Sequence, residues 1–340
     1  MKKLVDRLMR SGNRQDVLET GVSREAVEWA YRLLLGREPE NEGVIASQME
    51  GNRDLGQLRN SFLGSPEFNE RLPPSARIQL HGGEPPNVVE SDGSPELLAR
   101  LFEHVHRSWH QFGEEQPFWS VLTAPEYRGQ PEDVAIERFF ASGKAEIERF
   151  KKALARLDLS LDGRRTCLEY GCGLGRVTRH LAPHFERVTA VDISAAHLAK
   201  AQALAEAKGI TGIDWTHLRS LDQLGELPQV DVIYSLIVLQ HNPPPVIERI
   251  IKTFARILRP GGIAYFQVPT YRVGYEFRLA DYLNGNLQPG MEMHVYPQNR
   301  IFRIFAEAGA VPVSVAEDGC TGIPKERSNT FVFMKTGARD

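Results

Sequence analysis

A glycine-rich turn holds the residues of this sequence best suited to approach a ligand, Leu168-Glu169-Tyr170-Gly171-Cys172-Gly173-Leu174-Gly175-Arg176. A β-rich run leads into the turn and a helical pattern follows it, so the backbone can approach a ligand closely and the helix offers free N–H groups. Asp192 ends the next β-rich run. An acid about 20 residues beyond such a turn is typical of a nicotinamide dinucleotide site. A loop that only connects a strand to a helix is the simpler alternative.

Two histidines are placed where a general base would be needed. His241 follows the β-rich run 230–235, at the carboxyl edge where open α/β sheets bind their ligands. His294 lies in Met291-Glu292-Met293-His294, late in the segment 269–296. Imidazole is the commonest base near neutral pH. The alternatives are a loop-stabilising role for His241 and a surface position for His294. The remaining acids and histidines lack metal-ligand spacing, which predicts a metal-independent enzyme.

Short β-rich runs alternate with helical segments from Thr166 onward. The first five runs connect through helices, which predicts parallel strands in a three-layer α/β sandwich. The last two are separated by 317–329 alone and should form an antiparallel hairpin. The seven predicted strands are 166–170, 188–192, 213–218, 230–235, 263–268, 311–316 and 330–335.

The part of the chain before the β-rich runs reads as helical. Val27, Tyr31 and Leu34 have helical spacing, and Gly36 is suited to end that helix. Between these N-terminal helical segments and the helical segments that begin at residue 96, frequent Pro and Gly residues interrupt any regular hydrophobic spacing. The composition changes predict four segments: an N-terminal helical module (1–75, with a frayed polar start), a linker (76–95), a helical cap (96–160) and the main domain (161–340).

Composition excludes several classes of protein. The chain of 340 residues carries a net charge of −3, which gives no general electrostatic reason to bind nucleic acid. Its three cysteines are scattered and odd in number, so neither a disulfide framework nor a zinc cluster is indicated. No apolar run approaches the roughly 20 residues of a membrane span, and the start lacks the apolar core of a signal peptide. We therefore expect a cytoplasmic protein.

The glycine turn is accompanied by three further motifs: Leu218-Arg219-Ser220-Leu221, Asp231–His241 and Ile257-Leu258-Arg259-Pro260-Gly261-Gly262. These motifs and Val191-Asp192-Ile193-Ser194 occur in order along residues 160–340. On their account, this part of the chain resembles the class I S-adenosylmethionine-dependent methyltransferases. The resemblance implies a Rossmann-like, seven-stranded sheet and S-adenosylmethionine as cofactor, and the Leu-Arg-Pro-Gly-Gly turn argues against a nicotinamide dinucleotide. The cofactor-binding residues that it implies are Glu169, Tyr170, Gly171, Cys172, Gly173, Gly175, Asp192, Ile193, Ser194, Ser220, Leu221, Ser235 and Leu236.

Two features depart from patterns known in such enzymes. No acid stands at Ser220 or Leu221, where the family often holds the adenine, so Asp222 or a backbone carbonyl is left for that contact. The run Asn242-Pro243-Pro244-Pro245 is similar to a motif of enzymes that methylate amino nitrogens, but Pro245 replaces its aromatic ring. These prolines are better suited to open a helix. We therefore expect an oxygen acceptor.

The N-terminal module suggests the kind of acceptor. Its Ala30–Pro39 and Phe62–Phe68 segments resemble a small helical domain that recurs in bacterial surface-glycan and envelope proteins. The resemblance implies methylation of a sugar hydroxyl of a surface glycan or its precursor, at the inner face of the membrane with glycan-assembly enzymes, and a protein partner for the module. A module that only packs its own small core is the alternative.

A sugar site needs aromatic platforms, because sugars present apolar C–H faces. The candidates, Trp119, Tyr127, Tyr271, Tyr275 and Tyr282, together with Trp109, are predicted to wall a shared pocket with His241 at its floor. Packing in a hydrophobic core is the alternative role for these rings. Two other functions stay open: a methyltransferase for a small metabolite, and a catalytically silent cofactor-binding scaffold.

Overall fold

The computed structural model describes residues 21–71, 84–285, 287–323 and 325–337. The chain divides into two compact units, residues 1–79 and 80–340. The expectations for residues 1–20 and for the first part of the linker, up to residue 83, lie outside the described residues.

Within its described residues, 21–71, the first unit contains four helices, α1 (Arg24–Leu34), α2 (Glu42–Gly51), α3 (Leu55–Leu63) and α4 (Pro66–Arg71). The first three begin at side-chain caps, where Ser23, Asn41 and Asp54 each accept a backbone N–H three residues ahead. The helical spacing of Val27, Tyr31 and Leu34 is confirmed, because all three lie on α1. Val27 and Tyr31 belong to one buried cluster, against which Leu34 packs: Val22, Val27, Tyr31, Leu35, Ile45, Leu58 and Phe62.

The second unit is built on one mixed sheet of seven strands in the order β4-β3-β2-β5-β6-β9-β8. The first five strands of this order pair in parallel, and β9 pairs antiparallel with both β6 and β8. The Rossmann-like fold and the terminal hairpin are therefore confirmed. The strands are β2 (Thr166–Tyr170), β3 (Arg187–Asp192), β4 (Ile213–His217), β5 (Val230–Ser235), β6 (Leu258–Arg272), β8 (Ala310–Glu317) and β9 (Glu326–Lys335).

Strand β6 is longer than the sequence predicts. The sequence predicts a strand over 263–268. In the structure the strand begins at Leu258, which pairs with Val230 of β5, and it pairs with β9 as far as Arg272. The turn Arg259–Gly262 thus lies within the strand as a register shift rather than before it. The length of β6 is set by its hydrogen bonds to β5 and β9, and the local hydrophobic pattern of the sequence does not reveal these partners.

Helices cover both faces of the sheet. Residues of α5 (Pro95–Glu115), α9 (Pro244–Ile257) and α11 (Gln298–Glu307) share one core with Leu168, Ile233 and Phe266. Residues of α6 (Asp133–Ala155) and α7 (Thr178–Leu181) share another with Cys167, Val232 and Tyr265. Neighbouring strand residues thus serve opposite cores, as the period of two requires. Helix α8 (Ala195–Ala207) follows β3, and the prolines before Val246 open α9 as predicted.

A second, small sheet connects the beginning of this unit with the segment that follows β6. Within the predicted linker 76–95, β1 (Val88–Val89) pairs in parallel with β7 (Glu276–Phe277). Ser94 then caps α5, and α10 (Leu279–Asn284) follows β7. The chain entering α5 and the segment 273–297 are therefore held side by side.

Candidate active site

The glycine turn after β2 adopts a conformation that side chains resist. Gly171, Gly173 and Gly175 have φ angles of 78°, 53° and 71°, the left-handed region that glycine alone visits freely. A Cβ on Gly173 would lie 2.9 Å from Cγ2 of Val121. Val121 therefore packs directly on the turn, and both line the same cavity.

Asp192, at the carboxyl end of β3, is fixed by two backbone amides. Its Oδ2 accepts from Gly173 N–H at 2.7 Å and its Oδ1 from Ser194 N–H at 2.8 Å. A carboxylate offers about four lone-pair sites, so acceptor capacity remains for a diol. The residue that the resemblance assigns to the ribose hydroxyls thus holds the turn in place and lines the cavity.

Glu169 is buried beneath the turn. Its Oε2 has no hydrogen-bond partner among the described residues. Burial raises its pKa to about 8, although the nearby Thr178 hydroxyl and the charge of Arg176 act in the opposite direction. An unpartnered carboxylate oxygen in a closed site fits the ammonium group of an amino-acid moiety. This donor and acceptor set is therefore compatible with S-adenosylmethionine.

A cavity of about 260 Å³ opens between the carboxyl ends of the strands and the helical cap. Nine of the thirteen residues that the resemblance implies for the cofactor line it: Glu169, Tyr170, Gly171, Cys172, Gly173, Asp192, Ile193, Ser235 and Leu236. The other four do not. Gly175 packs against Trp215, Ser194 caps α8, Ser220 precedes a 3₁₀ turn, and Leu221 belongs to the hydrophobic core.

His241 lines the same cavity and has one ring nitrogen already engaged. Its Nδ1 lies 2.8 Å from the carbonyl oxygen of Glu292. Because a carbonyl only accepts, Nδ1 carries the proton and Nε2 keeps its lone pair. Burial lowers the pKa of His241 to about 4, so the ring is neutral at pH 7. Trp109 packs on the ring, with a centroid distance of 5.1 Å.

The wall around His241 is mostly apolar, with a few polar groups. Trp109, Met291 and Met293 contribute large apolar surfaces. Gln240 is buried, lines the cavity, and has an Oε1 without a partner among the described residues. The helical cap and the segment after β6 thus contribute to one pocket, as predicted, but of the rings predicted to wall it Trp109 alone does so.

His294 does not reach the cavity. Its Nε2 lies 2.8 Å from Oε2 of Glu292, and its Nδ1 lies 2.9 Å from the hydroxyl of Tyr275. Both nitrogens are therefore engaged, and neither is available for a substrate proton. The structure thus does not bring His294, the second predicted base, to the cavity beside His241, because its side chain points to the opposite side of its segment.

The five aromatic residues predicted to contact an acceptor also lie elsewhere. Tyr127 packs on Phe139 in the cap, and Trp119 belongs to the same cluster beneath Arg128. The hydroxyls of the other three are bonded within the protein, with Tyr271 donating to Pro85, Tyr275 bonded to His294 and Tyr282 donating to Glu292. None of the five lines the cavity. These rings lie in loops, in short elements or at the end of a strand, where too few residues repeat to fix which way a side chain points, so spacing could not place them.

Several cavity residues were not anticipated from the sequence: Ser120, Val121, Leu122, Thr123, Arg176, His197, Gln240, Met291, Met293, Cys320 and Thr321. A signal existed for two of them. Apolar and polar side chains alternate along Met291–His294, and the structure places residues 291 and 293 on the cavity side and 292 and 294 on the other. The position of 120–123 depends on tertiary packing, including the 2.9 Å contact between Ser120 Oγ and His197 Nε2.

The described residues hold no group of three or more His, Cys, Asp or Glu side chains arranged for a metal ion. None of the described helices is both long and apolar enough to span a membrane.

Comparison with known proteins agrees with the cavity geometry. Residues 167–262 match a family model described as "Methyltransferase domain". An S-adenosyl-L-methionine-dependent Diels-Alderase of Neonectria sp. is 26% identical over 242 residues, covering 66% of this chain and 83% of that protein. A ubiquinone biosynthesis O-methyltransferase of Pseudomonas savastanoi pv. phaseolicola is 32% identical over 100 residues, 29% of this chain and 42% of that enzyme.

The chain therefore spans less than half the length of that O-methyltransferase. Among solved structures, magnesium protoporphyrin IX methyltransferase of Synechocystis with bound SAH is 19% identical, with a TM-score of 0.48, and the alignment covers 69% of this chain and 100% of that chain. The chain contains a class I S-adenosylmethionine-dependent methyltransferase domain. Its cofactor is S-adenosylmethionine.

Proposed function

We propose that this protein is an O-methyltransferase in which His241 accepts the proton of the acceptor hydroxyl. One observation carries the proposal: His241, whose Nδ1 donates to the Glu292 carbonyl and whose Nε2 therefore keeps its lone pair, lines the cavity that the glycine turn and Asp192 also line. Methyl transfer from a sulfonium requires a nucleophile within about 3–3.5 Å of the methyl carbon, and a hydroxyl nucleophile must also lose its proton.

S-adenosylmethionine supplies the activated methyl group when bound. The protein residues then have three tasks. Glu169 and Asp192 hold the cofactor by its ammonium and ribose groups, the apolar walls exclude water, and His241 takes the proton as the new C–O bond forms. A pKa of about 4 makes His241 a weak base. It is sufficient here because the oxygen becomes strongly acidic once it gains the methyl group.

The identity of the acceptor belongs to the same proposal. We favour a sugar hydroxyl of a bacterial surface glycan or its precursor, methylated in the cytoplasm at the inner membrane face, with the N-terminal unit contacting a protein partner. The resemblance of the N-terminal helices supports this choice, as does Trp109, a ring beside His241 that can stack on a sugar face. Gln240 offers an unpartnered amide oxygen to a second hydroxyl.

A second candidate, methylation of an apolar small metabolite, is supported by a different observation. Met291, Met293 and Trp109 present more apolar than hydrogen-bonding surface to the acceptor side of the cavity. Flexible methionine walls adapt to flat or irregular apolar ligands. The same base would serve both kinds of acceptor.

The test measures S-adenosylhomocysteine formation with a panel of glycan precursors, simple phenols and aliphatic alcohols. The wild-type chain is compared with His241→Gln and, as a control, with His184→Gln at an exposed position. Turnover with a glycan precursor that is lost only in the His241 variant supports the proposal. Turnover with phenols alone favours the metabolite, and no turnover with any acceptor leaves the scaffold function.

A further inference from the structure

The segment Met291–His294 has two faces with different surroundings. Met291 and Met293 line the cavity, whereas the side chains of Glu292 and His294 do not. On the far side, the Glu292 carboxylate collects three side-chain contacts. His104 Nε2 lies 2.9 Å from Oε1, while Tyr282 OH and His294 Nε2 lie 2.6 and 2.8 Å from Oε2.

These three partners come from separate parts of the fold. His104 belongs to α5 and Tyr282 to α10, while His294 lies on the same segment. Burial raises the pKa of Glu292, but hydrogen bonds from His294, Tyr282 and His104 outweigh it and lower the pKa to about 2. The carboxylate is therefore ionised at neutral pH and accepts all three bonds, which are strong because the acceptor is charged.

The backbone of the same segment holds the loop that carries the base. Glu292 C=O accepts from His241 Nδ1–H at 2.8 Å, and His294 N–H donates to Gln240 C=O at 2.7 Å. Two consecutive residues of the loop are thus tied to the segment on either side of Met293. Because the Glu292 carbonyl accepts from Nδ1–H of His241, it selects the tautomer in which Nε2 carries no proton.

We infer that Glu292 is a positioning residue: its anchored carboxylate fixes the peptide carbonyl that orients His241. The inference rests on the proposed function, because it names the residue that orients the proposed base. Without the carboxylate, the carbonyl of residue 292 loses its fixed position, and the imidazole is free to exchange tautomers or rotate. Glu292 itself contacts neither the cavity nor the reacting atoms.

The variants Glu292→Ala and Glu292→Gln test this role. The segment keeps other ties in both, because Gly290 N–H still donates to Ser108 Oγ and Arg272 still donates to Met293 C=O. Glutamine retains one acceptor oxygen but turns an NH₂ group toward donors. We expect turnover to fall about 10–100-fold in Glu292→Ala, which is part of the rate enhancement that a positioned general base contributes. The loss in Glu292→Gln should be smaller.

Glu248→Gln is the matched control. Glu248, on α9, also accepts from three side chains, Ser91, Tyr296 and Lys252. None of its bonds ties the loop 240–241. Both glutamine variants should lower the thermal unfolding midpoint, but only the Glu292 variants should lower turnover, with the KM for S-adenosylmethionine unchanged. Equal turnover losses in both would show that Glu292 acts through stability alone and would overturn the inference.

A readout independent of methyl transfer separates this inference from the proposed function. In ¹⁵N-histidine-labelled protein, the ring signals of His241, assigned by their loss in His241→Gln, should show a protonated Nδ1 and an unprotonated Nε2. Glu292→Ala should shift both toward tautomer averages, and Glu248→Gln should not. Unchanged signals in Glu292→Ala overturn the positioning role. Full turnover in His241→Gln instead overturns the proposed function, whatever the tautomer signals show.

Discussion

Gly171 and Val238 approach so closely that no side chain fits between them. A Cβ on Gly171 would lie 2.4 Å from Cγ2 of Val238, which joins the glycine turn after β2 to the loop after β5. Gly171→Ala should therefore cost the strain of a left-handed φ, about 1–2 kcal/mol, plus about 1–3 kcal/mol of overpacking.

Gly163→Ala separates these two contributions. Gly163 has a φ of 75°, close to the 78° of Gly171, but nothing lies within 4 Å of its Cβ position. Thermal or denaturant unfolding should show a larger loss for Gly171→Ala, together with weaker cofactor binding. Equal losses of stability in the two variants would mean that Val238 moves aside without cost.

Asp192→Ala should weaken S-adenosylmethionine binding by roughly 2–4 kcal/mol, because the ribose hydroxyls lose a charged acceptor. Gly173 and Ser194 also lose the partner of their N–H groups. Isothermal titration calorimetry measures the change. Asp214→Ala, an exposed carboxylate paired with Arg187 on the sheet edge, is the control and should bind normally. Unchanged affinity in a folded Asp192 variant would place the cofactor elsewhere.

His241→Gln should lower turnover by about 10²–10⁴-fold, the usual worth of a general base, while cofactor affinity changes little. The pKa of His241 is lowered to about 4, so the base is already neutral across pH 6–8. The kcat of the wild-type enzyme should be flat there and fall as the pH drops toward 4. A rate that instead rises through pH 6.5 would mean an exposed imidazole or another base.

Cofactor binding should release a proton from Glu169. Burial raises the pKa of this carboxyl to about 8, so it is largely protonated at pH 7 in the free protein, and a cationic ligand favours the ionised form. Affinity should therefore increase with pH between about 6 and 8, the range below the pKa of the ligand's own ammonium group. Calorimetry in buffers of different ionisation enthalpy counts the proton. Glu169→Gln should bind more weakly and without this pH dependence. Equal proton release by that variant would contradict the assignment.

Removal of residues 1–79 should leave cofactor binding intact. The glycine turn, Asp192 and His241 all lie in the unit 80–340, whose cores are formed by residues of that unit. Calorimetry with S-adenosylhomocysteine on the shortened chain checks this. A shortened protein that folds, as judged by circular dichroism, but does not bind would show that the first unit completes the site.

The sequence predicted the sheet well because its strands carry strong local signals. The bounds of β2 and β5 agree with the prediction to the residue, since both are short runs rich in β-branched and aromatic residues. His241 could be placed for a similar reason: the carboxyl end of a parallel strand has a known position relative to its neighbours. These inferences need only the order of elements along the chain.

The acceptor side could not be predicted in the same way. The tyrosines of 271–282 were expected in the pocket, but the structure engages their hydroxyls with groups such as Pro85 and Glu292, which are distant in sequence or on other elements. Tyr271 lies at the end of β6 and Tyr282 in the short helix α10, and at such positions side-chain direction follows from these partners rather than from spacing. Methionines, which carry no polar signal, occupy the cavity wall instead.

The position of β9 between β6 and β8 has a consequence for synthesis of the chain. One edge of β6 and the strand β8 both pair with β9, so neither can pair until residues 326–335 have been synthesised. At about 5–20 residues per second, residues 273–325 take about 3–10 s to make. During that time the nascent sheet exposes an unpaired apolar edge, which favours association with other chains. Slower translation of this stretch is therefore expected to lower the yield of correctly folded protein.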